Sequence, residues 1–142
     1  MSTEENKAVV RNFLEEFNTI GRNTDRINTI IDEFCTPEFV NHRTTGDLSL
    51  GQYKQYLHAM FSAFPDVIFT NDDMIAEGDK VVFRSSWSGT HKGELQGILP
   101  TGKRVTVAGI TICKIAGGKM VEVWALQDTM GMMQQLGVIP SK

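Results

Sequence analysis

The feature that most constrains the fold is a change of hydrophobic period at Pro65. Before it, apolar residues recur every three or four positions; after it, they alternate between tight turns. Val9, Val10, Phe13, Leu14 and Phe17 make one helical stripe, with Glu5, Lys7, Arg11, Glu15 and Glu16 opposite, and Gly21 ends the run. A second short helix starts at Thr24 or Asp25 and turns Ile27, Ile30, Ile31 and Phe34 inward until Pro37 stops it. Phe39-Val40-Asn41-His42 is a short apolar stretch opening into a polar loop over 43–47. Ser49 followed by Gln52 predicts a capping box for a third helix, with Tyr53, Tyr56 or Leu57, Met60, Phe61 and Phe64 on its apolar face.

Beyond Pro65 the pattern predicts four strands, over 66–76, 81–90, 104–115 and 120–127. Glu77-Gly78-Asp79-Lys80 and Ala116-Gly117-Gly118-Lys119 are turn clusters, so the strands they join pair antiparallel. In the second strand Val81, Phe83, Ser85 and Trp87 share one face, while Val82, Arg84, Ser86 and Ser88 share the other. A closing helix over 129–136 ends at Gly137. Helices gathered before the strands must cover one face of the sheet, which predicts a single α+β domain over residues 1–142.

Composition removes several function classes. With 14 Lys and Arg scattered among 17 acids and a net charge of −3, no basic stripe is available for nucleic acid. No apolar run approaches the roughly 20 residues of a membrane span. The polar start, Met1 to Lys7, lacks the apolar core of a signal peptide, so a cytoplasmic address without membrane partners is expected. Cys35 and Cys113 stand apart and read as reduced, buried residues. There is no H-E-x-x-H, clustered Cys/His set, G-x-S-x-G, phosphate loop or dinucleotide fingerprint, so neither metal nor cofactor is expected.

Several stretches taken in order carry a resemblance. They are Asn6 to Phe13, Phe39-Val40-Asn41-His42, Phe64-Pro65-Asp66 and Ala76 to Val82, then Gly89-Thr90-His91-Lys92-Gly93-Glu94 and Pro100 to Val105. Gly118 to Glu122, Trp124, Asp128, Gly131 and Gln135-Leu136-Gly137 complete the set. Over nearly its whole length the chain resembles the SnoaL-like polyketide cyclases, or ester cyclases, of the nuclear transport factor 2-like superfamily. The resemblance implies a cone: a curved antiparallel sheet packed against three N-terminal helices, with a short C-terminal helix. It also implies cofactor-free chemistry on a small hydrophobic substrate and a homo-oligomer, dimer or tetramer. In such cyclases one aspartate near the end of the last strand is acid and base in an intramolecular aldol closure, and Asp128 is the matching position. The chain departs from the common pattern at Ala125-Leu126-Gln127.

These readings define the expected site. Trp124, Leu126 and Asp128 alternate on one face, which would place a carboxylate among apolar walls if that face were the cavity. Asp128 also precedes Thr129 and is suited to cap the last helix. His42, His91 and Arg84 are candidate catalytic partners that could donate to an enolate oxygen, and Arg84 could instead pair with Asp128. Asn41 either orients His42, caps a turn or contacts substrate, while Phe61 and Met132 are candidate pocket walls. Two other functions share these features: a non-catalytic small-molecule-binding module, and a hydrolase or dehydratase of the epoxide hydrolase type built on an Asp–Arg–Asp arrangement.

Overall fold

The computed structural model describes residues 2–21 and 23–140. Helix α1 (Thr3–Phe17) starts from a capping box in which Ser2 and Glu5 exchange hydrogen bonds. Its stripe buries Val10, Phe13 and Phe17. The helix stops at Phe17, four residues before Gly21, which takes a positive φ of 56° in the following turn. Helix α2 (Arg26–Phe34) begins at Asp25, whose side chain makes no capping bond, and buries Ile27, Ile30 and Ile31. Helix α3 (Leu50–Ala63) has the predicted Ser49–Gln52 capping box. Helix α4 (Thr129–Leu136) ends on left-handed Gly137.

Six strands form one sheet, two more than the sequence pattern predicts. They are β1 (Cys35–Arg43), β2 (Gly46–Ser49), β3 (Ile68–Glu77), β4 (Lys80–Thr90), β5 (Arg104–Ala116) and β6 (Lys119–Gln127), in spatial order β2-β1-β6-β5-β4-β3. The residues read as an apolar stretch and a polar loop are therefore β1, a turn and β2. Strand β1 pairs parallel with β6 about eighty residues later, a contact that no local turn announces. All the other strand pairs are antiparallel.

Register shifts interrupt three of these ladders: Asn71/Asp73 in β3, Cys35/Val40 in β1 and Lys114/Ile115 in β5. Such bulges bend a strand and increase its twist, which curves this sheet into the wall of a cone. Val81, Phe83 and Trp87 of β4, Val105, Val107 and Cys113 of β5, and Met120 and Val123 of β6 are buried. Helix α1 packs against β3 and β4, and α3 against β1 and β2. Helix α4 covers the part of β5 beyond the end of β6. There Gln135 acts as a substitute strand, accepting from Thr106 N–H and donating to Thr106 C=O, both at 2.8 Å.

The opposite face of the sheet is uncovered by helices. Ile75, Val82, Ile112, Trp124 and His42 stand in one register row across five strands. Ile75, Ile110 and Leu126 are each more than half exposed.

The loops at the wide end are fixed to the scaffold through backbone groups. Lys92 and Gly93 both donate to Ala63 C=O, and a side chain at Gly93 would meet Ser62 O at 2.2 Å. Asp66 clamps the end of β4, accepting from Thr90 N–H and Thr90 Oγ1, each at 2.7 Å. The Thr90 amide, more than any other neighbour, holds the Asp66 carboxyl below the usual carboxylate range. A depressed folded value contributes stability above the unfolded value of about 4, and that contribution is lost as pH falls through the folded value. Thermal unfolding followed by circular dichroism from neutral pH into acid should show this. Asp66→Asn is expected to lower the neutral-pH melting temperature and flatten the acid limb; an unchanged acid limb would remove Asp66 from the account.

Candidate functional site

The concave face of the sheet and the helices over it enclose a cavity with two lobes. The deep lobe, about 670 Å³ counting its mouth, is walled by Phe13 and Phe17 of α1, Phe39 of β1, Leu57 of α3 and Phe83 of β4. The outer lobe, about 1020 Å³ counted in the same way, runs between Tyr56, Met60 and Phe64 on one side and Met132 and Met133 of α4 on the other. Arg43, Trp87, Ala125 and Gln127 line both lobes and so form the throat between them. Apolar walls with a few polar groups are the usual composition of a small-molecule site.

Strand alternation places the polar groups. On β1, Asn41 and Arg43 face inward and His42 outward. Asn41 lies opposite Val123, and Arg43 follows the His42–Trp124 pair by one residue, beside Ala125. Arg43 Nη2 donates to Tyr56 Oη at 2.9 Å, and its guanidinium carbon sits 4.3 Å from the centre of the same ring. Among the described residues Arg43 makes no ion pair. Trp87 is buried, and its indole N–H has no hydrogen-bond partner. Gln127 brings an amide to the same throat. Of the described residues lining the two lobes, Glu94, exposed at the outer lobe, is the one carboxylate. Burial pushes the Tyr53 phenol of the deep lobe well up, so it stays protonated.

The arrangement is thus rich in donors and poor in bases. An uncompensated guanidinium in a mostly apolar cavity favours an anionic atom at the throat, because low polarity strengthens the attraction. Tyr56 Oη accepts from Arg43 and retains its own hydrogen for a ligand oxygen. Among the described residues no three His, Cys, Asp or Glu side chains gather as a metal site. No helix is long and apolar enough to cross a membrane.

The expected constellation is not brought together. Along the end of β6 the inward residues are Ala125 and Gln127, while Trp124 and Leu126 lie on the uncovered outer face, Leu126 at 60% exposure. Asp128 is exposed and lines neither lobe. Its carboxylate accepts from Gly131 N–H at 2.9 Å and caps α4. Neither Trp124 nor Leu126 can desolvate it as the sequence reading required.

Arg84 is also exposed and stands 3.8 Å from Asp72, not beside Asp128. No Asp–Arg–Asp set therefore lies in the cavity.

His42 faces outward, stacked on Trp124 with ring centres 5.4 Å apart. It is held between Glu122 Oε2 at 2.6 Å and Asp47 Oδ1 at 2.9 Å. The hydrogen bond to Glu122 and then that to Asp47 raise its pKa. The imidazole therefore ties β2 to β1 and β6 on the outer face, away from both lobes.

His91 is completely buried in the connection after β4. Thr101 N–H donates to its Nδ1 at 3.2 Å, which puts the ring proton on Nε2, and Nε2 has no partner. The ring packs against Phe64 and touches neither lobe.

Phe61 is core, packed on Phe17 and Phe69, and is absent from the cavity walls. Asn41 and Met132 do line the cavity, the first in the deep lobe and the second in the outer lobe.

Sequence reasoning did not single out Arg43, Tyr56, Gln127 or Glu94 as site residues. The signal for Arg43 was present: extending the 39–42 stretch by one residue as a strand puts it on the same face as Asn41. Gln127 follows by the same parity from Ala125 once the strand's inner face is known.

A family model described as SnoaL-like polyketide cyclase matches residues 8–136. No curated protein matches the chain. Among solved structures, AclR from Streptomyces galilaeus, a candidate hydroxylase, is similar at 26% identity and a TM-score of 0.88, covering 99% of this chain and 86% of that one. TsrD from Streptomyces laurentii is 28% identical with a TM-score of 0.78, covering 93% of this chain and 97% of its own. A candidate polyketide cyclase from Acidithiobacillus ferrooxidans is also 28% identical, with a TM-score of 0.78 and coverages of 97% and 99%.

The placement of Asp128 makes a stability prediction. Asp128→Ala should lower folding stability by about 0.5–2 kcal/mol in urea or thermal unfolding, and Asp128→Asn, an equally good cap, should come close to the unmodified chain. Equal destabilisation by both substitutions would mean that the carboxylate does more than cap α4.

Proposed function

The chain belongs to the SnoaL-like polyketide cyclase family, and from that premise we propose that it is a cyclase or isomerase acting on a hydrophobic, enolisable polycarbonyl compound held with its enolate oxygen at the Arg43 throat. The observation that carries this reading is the guanidinium of Arg43, between an apolar deep lobe and a more polar outer lobe, bonded to Tyr56 and to no carboxylate.

The chemistry follows from the donors. A C–H bond between two carbonyls loses its proton, and the charge moves to oxygen. Arg43 and Tyr56, with the Gln127 amide lining the same throat, are donors suited to that oxygen. Donors fixed before the reaction stabilise the enolate more than the neutral ketone, which is the requirement for catalysis. The apolar lobes fold the remainder of the substrate so that the enolate carbon meets a second carbonyl. Carbon–carbon bond formation then produces an alkoxide, which takes up a proton to give the ring alcohol. With Asp128 outside the cavity, the carbon proton passes to Glu94, the carboxylate in the outer-lobe lining, which then returns a proton to the alkoxide.

Different residues should therefore affect different kinetic constants. With a β-polycarbonyl substrate, Arg43→Met is expected to reduce kcat/KM by about 10²–10³, the usual cost of one oxyanion donor, and Tyr56→Phe by less. Glu94→Gln should lower kcat with KM little changed, and Asp128→Asn should leave both near their original values. Full turnover in Arg43→Met would end the throat assignment. Ligand binding that depends on Arg43 without any turnover would instead identify a binding protein.

The uncovered outer face supports the further proposal of a homo-oligomer. Its apolar row is bordered by Glu77, Lys80, Lys114 and Glu122, one to each of four strands, so the border carries no net charge. Such a face does not repel a second copy of itself, and contiguous exposed apolar surface favours burial. Sedimentation velocity should show an assembly larger than a monomer that Trp124→Glu dissociates. A monomeric unmodified chain at micromolar concentration would rule this out.

A further inference from the structure

Glu94 reaches the outer lobe on a short hairpin in the connection between β4 and β5. On the entering arm, the N–H groups of Lys92 and Gly93 donate to Ala63 C=O at 2.9 and 3.1 Å. At the tip, Leu95 and Ile98 exchange backbone bonds at 2.9 and 2.8 Å. Gln96 and Gly97 between them both take a positive φ, 47° and 86°, as a tight two-residue turn requires. These tip bonds close the hairpin on itself without fixing where it sits. Of residues 94–100, Leu95 packs against the core, while Gln96, Gly97, Leu99 and Pro100 are exposed.

The returning arm is held by His91. Its N–H donates to Lys103 C=O and its C=O accepts from Gly102 N–H, both at 2.9 Å. Its Nδ1 accepts from Thr101 N–H at 3.2 Å and lies 3.1 Å from Thr101 Oγ1, which itself accepts from Lys103 N–H at 3.3 Å. A completely buried imidazole therefore closes the neck of the hairpin, and its Nε2–H has no partner among the described residues. The ring also packs on Phe64, a wall of the outer lobe, with ring centres 5.5 Å apart. One side chain thus joins the back of the lobe wall to the arm that returns from Glu94.

We infer that His91 is a positioning residue for proton transfer: its Nδ1 fixes the returning arm of the hairpin and, through it, the place of Glu94 in the outer-lobe lining. This rests on the reading of Glu94 as the carboxylate that carries the proton. Proton transfer between carbon and a carboxylate needs a short, aligned approach, so an ångström of play in the hairpin costs rate while every reacting group remains. An aliphatic side chain at position 91 would fill the same space but leave Thr101 N–H without its acceptor, and the amide could find water only by opening the neck.

A double-mutant cycle with turnover of a β-polycarbonyl compound tests the inference. His91→Leu is expected to lower kcat by about tenfold to a hundredfold, with KM changed less. His91→Asn, whose Oδ1 can stand where Nδ1 stood, should restore most of that loss. In the Glu94→Gln chain, His91→Leu should cost about twofold or less, because the group it positions is gone. Hydrogen exchange gives a second readout: residues 92–103 should exchange faster in His91→Leu and near the original rate in His91→Asn, with α1 and α2 unchanged. If His91→Leu fails to fold, Thr101→Val, which removes the hydroxyl from Nδ1, takes its place in the cycle with a smaller expected loss.

Equal losses with and without the Glu94 carboxylate would make His91 a general support of the fold and overturn the inference. Full turnover in a folded His91→Leu does the same, as does a loss that His91→Asn leaves unrepaired. If Glu94→Gln alone costs nothing, or the unmodified chain turns over no β-polycarbonyl, the reading of Glu94 fails and takes this inference with it.

Discussion

The phase of strand alternation governs this molecule. Side chains leave a strand on opposite faces with a period of two, so one step of phase exchanges the entire inner and outer sets. In β6 that choice sends Ala125 and Gln127 into the cone and Trp124 and Leu126 out of it. In β1 it sends Asn41 and Arg43 inward and His42 outward. The two strands lie side by side in parallel, so their phases are coupled, and His42 stacks on Trp124 because both occupy the outer face. Had β6 taken the other phase, an indole would stand in the throat and the outer row would lose its centre. The register shift at Lys114/Ile115 lies upstream of this segment on the neighbouring strand and is part of what sets that phase.

The same parity separates charges. Consecutive residues of β1 are basic, yet their environments are opposite. His42 meets two carboxylates, from Glu122 on one neighbouring strand and Asp47 on the other. Arg43 meets an aromatic ring and a phenolic oxygen. The anions that would neutralise a cation are therefore spent on the outer face, and the throat keeps a positive charge. The ring face and the hydroxyl of Tyr56 offset part of the cost of holding a guanidinium away from bulk water without cancelling its charge. A carboxylate in the position of Tyr56 would satisfy Arg43 more completely and leave nothing for a ligand.

Much of the architecture was legible because it rests on local signals. The capping box at Ser49, the Gly118 hairpin and the split of β4 into Phe83/Trp87 and Val82/Arg84 faces each depend on residues within a few positions of one another. The β1–β2 pair was not legible, since β1 is anchored to a parallel partner near the other end of the chain. The site departs from expectation for a different reason. Asp128 attracted attention through its family position, but its Oδ1 accepts from the N–H of Gly131 three residues on, a local bond that fixes it outside the cone. Asn41 is legible as a candidate because it lies in the apolar 39–42 stretch that carries part of the resemblance, although that stretch is not predicted as a strand. Arg43, one residue past that stretch, falls in the predicted polar loop, which gives it no face at all.

The end of β6 also constrains what kind of chemistry the cone can perform. At Ala125 and Gln127, the inward positions nearest Arg43, there is a methyl group and a neutral amide. Neither exchanges protons near neutrality, so the deep lobe can polarise an oxygen but cannot itself take a proton from carbon. On the proposed function, a substrate suited to such a lobe must already be acidic at carbon, because the throat would contribute stabilisation of the anion more than basicity. That favours a methylene flanked by two carbonyls over a simple ketone. A weakly acidic ketone would need both a strong base and the oxyanion donors, and the cavity offers only the second.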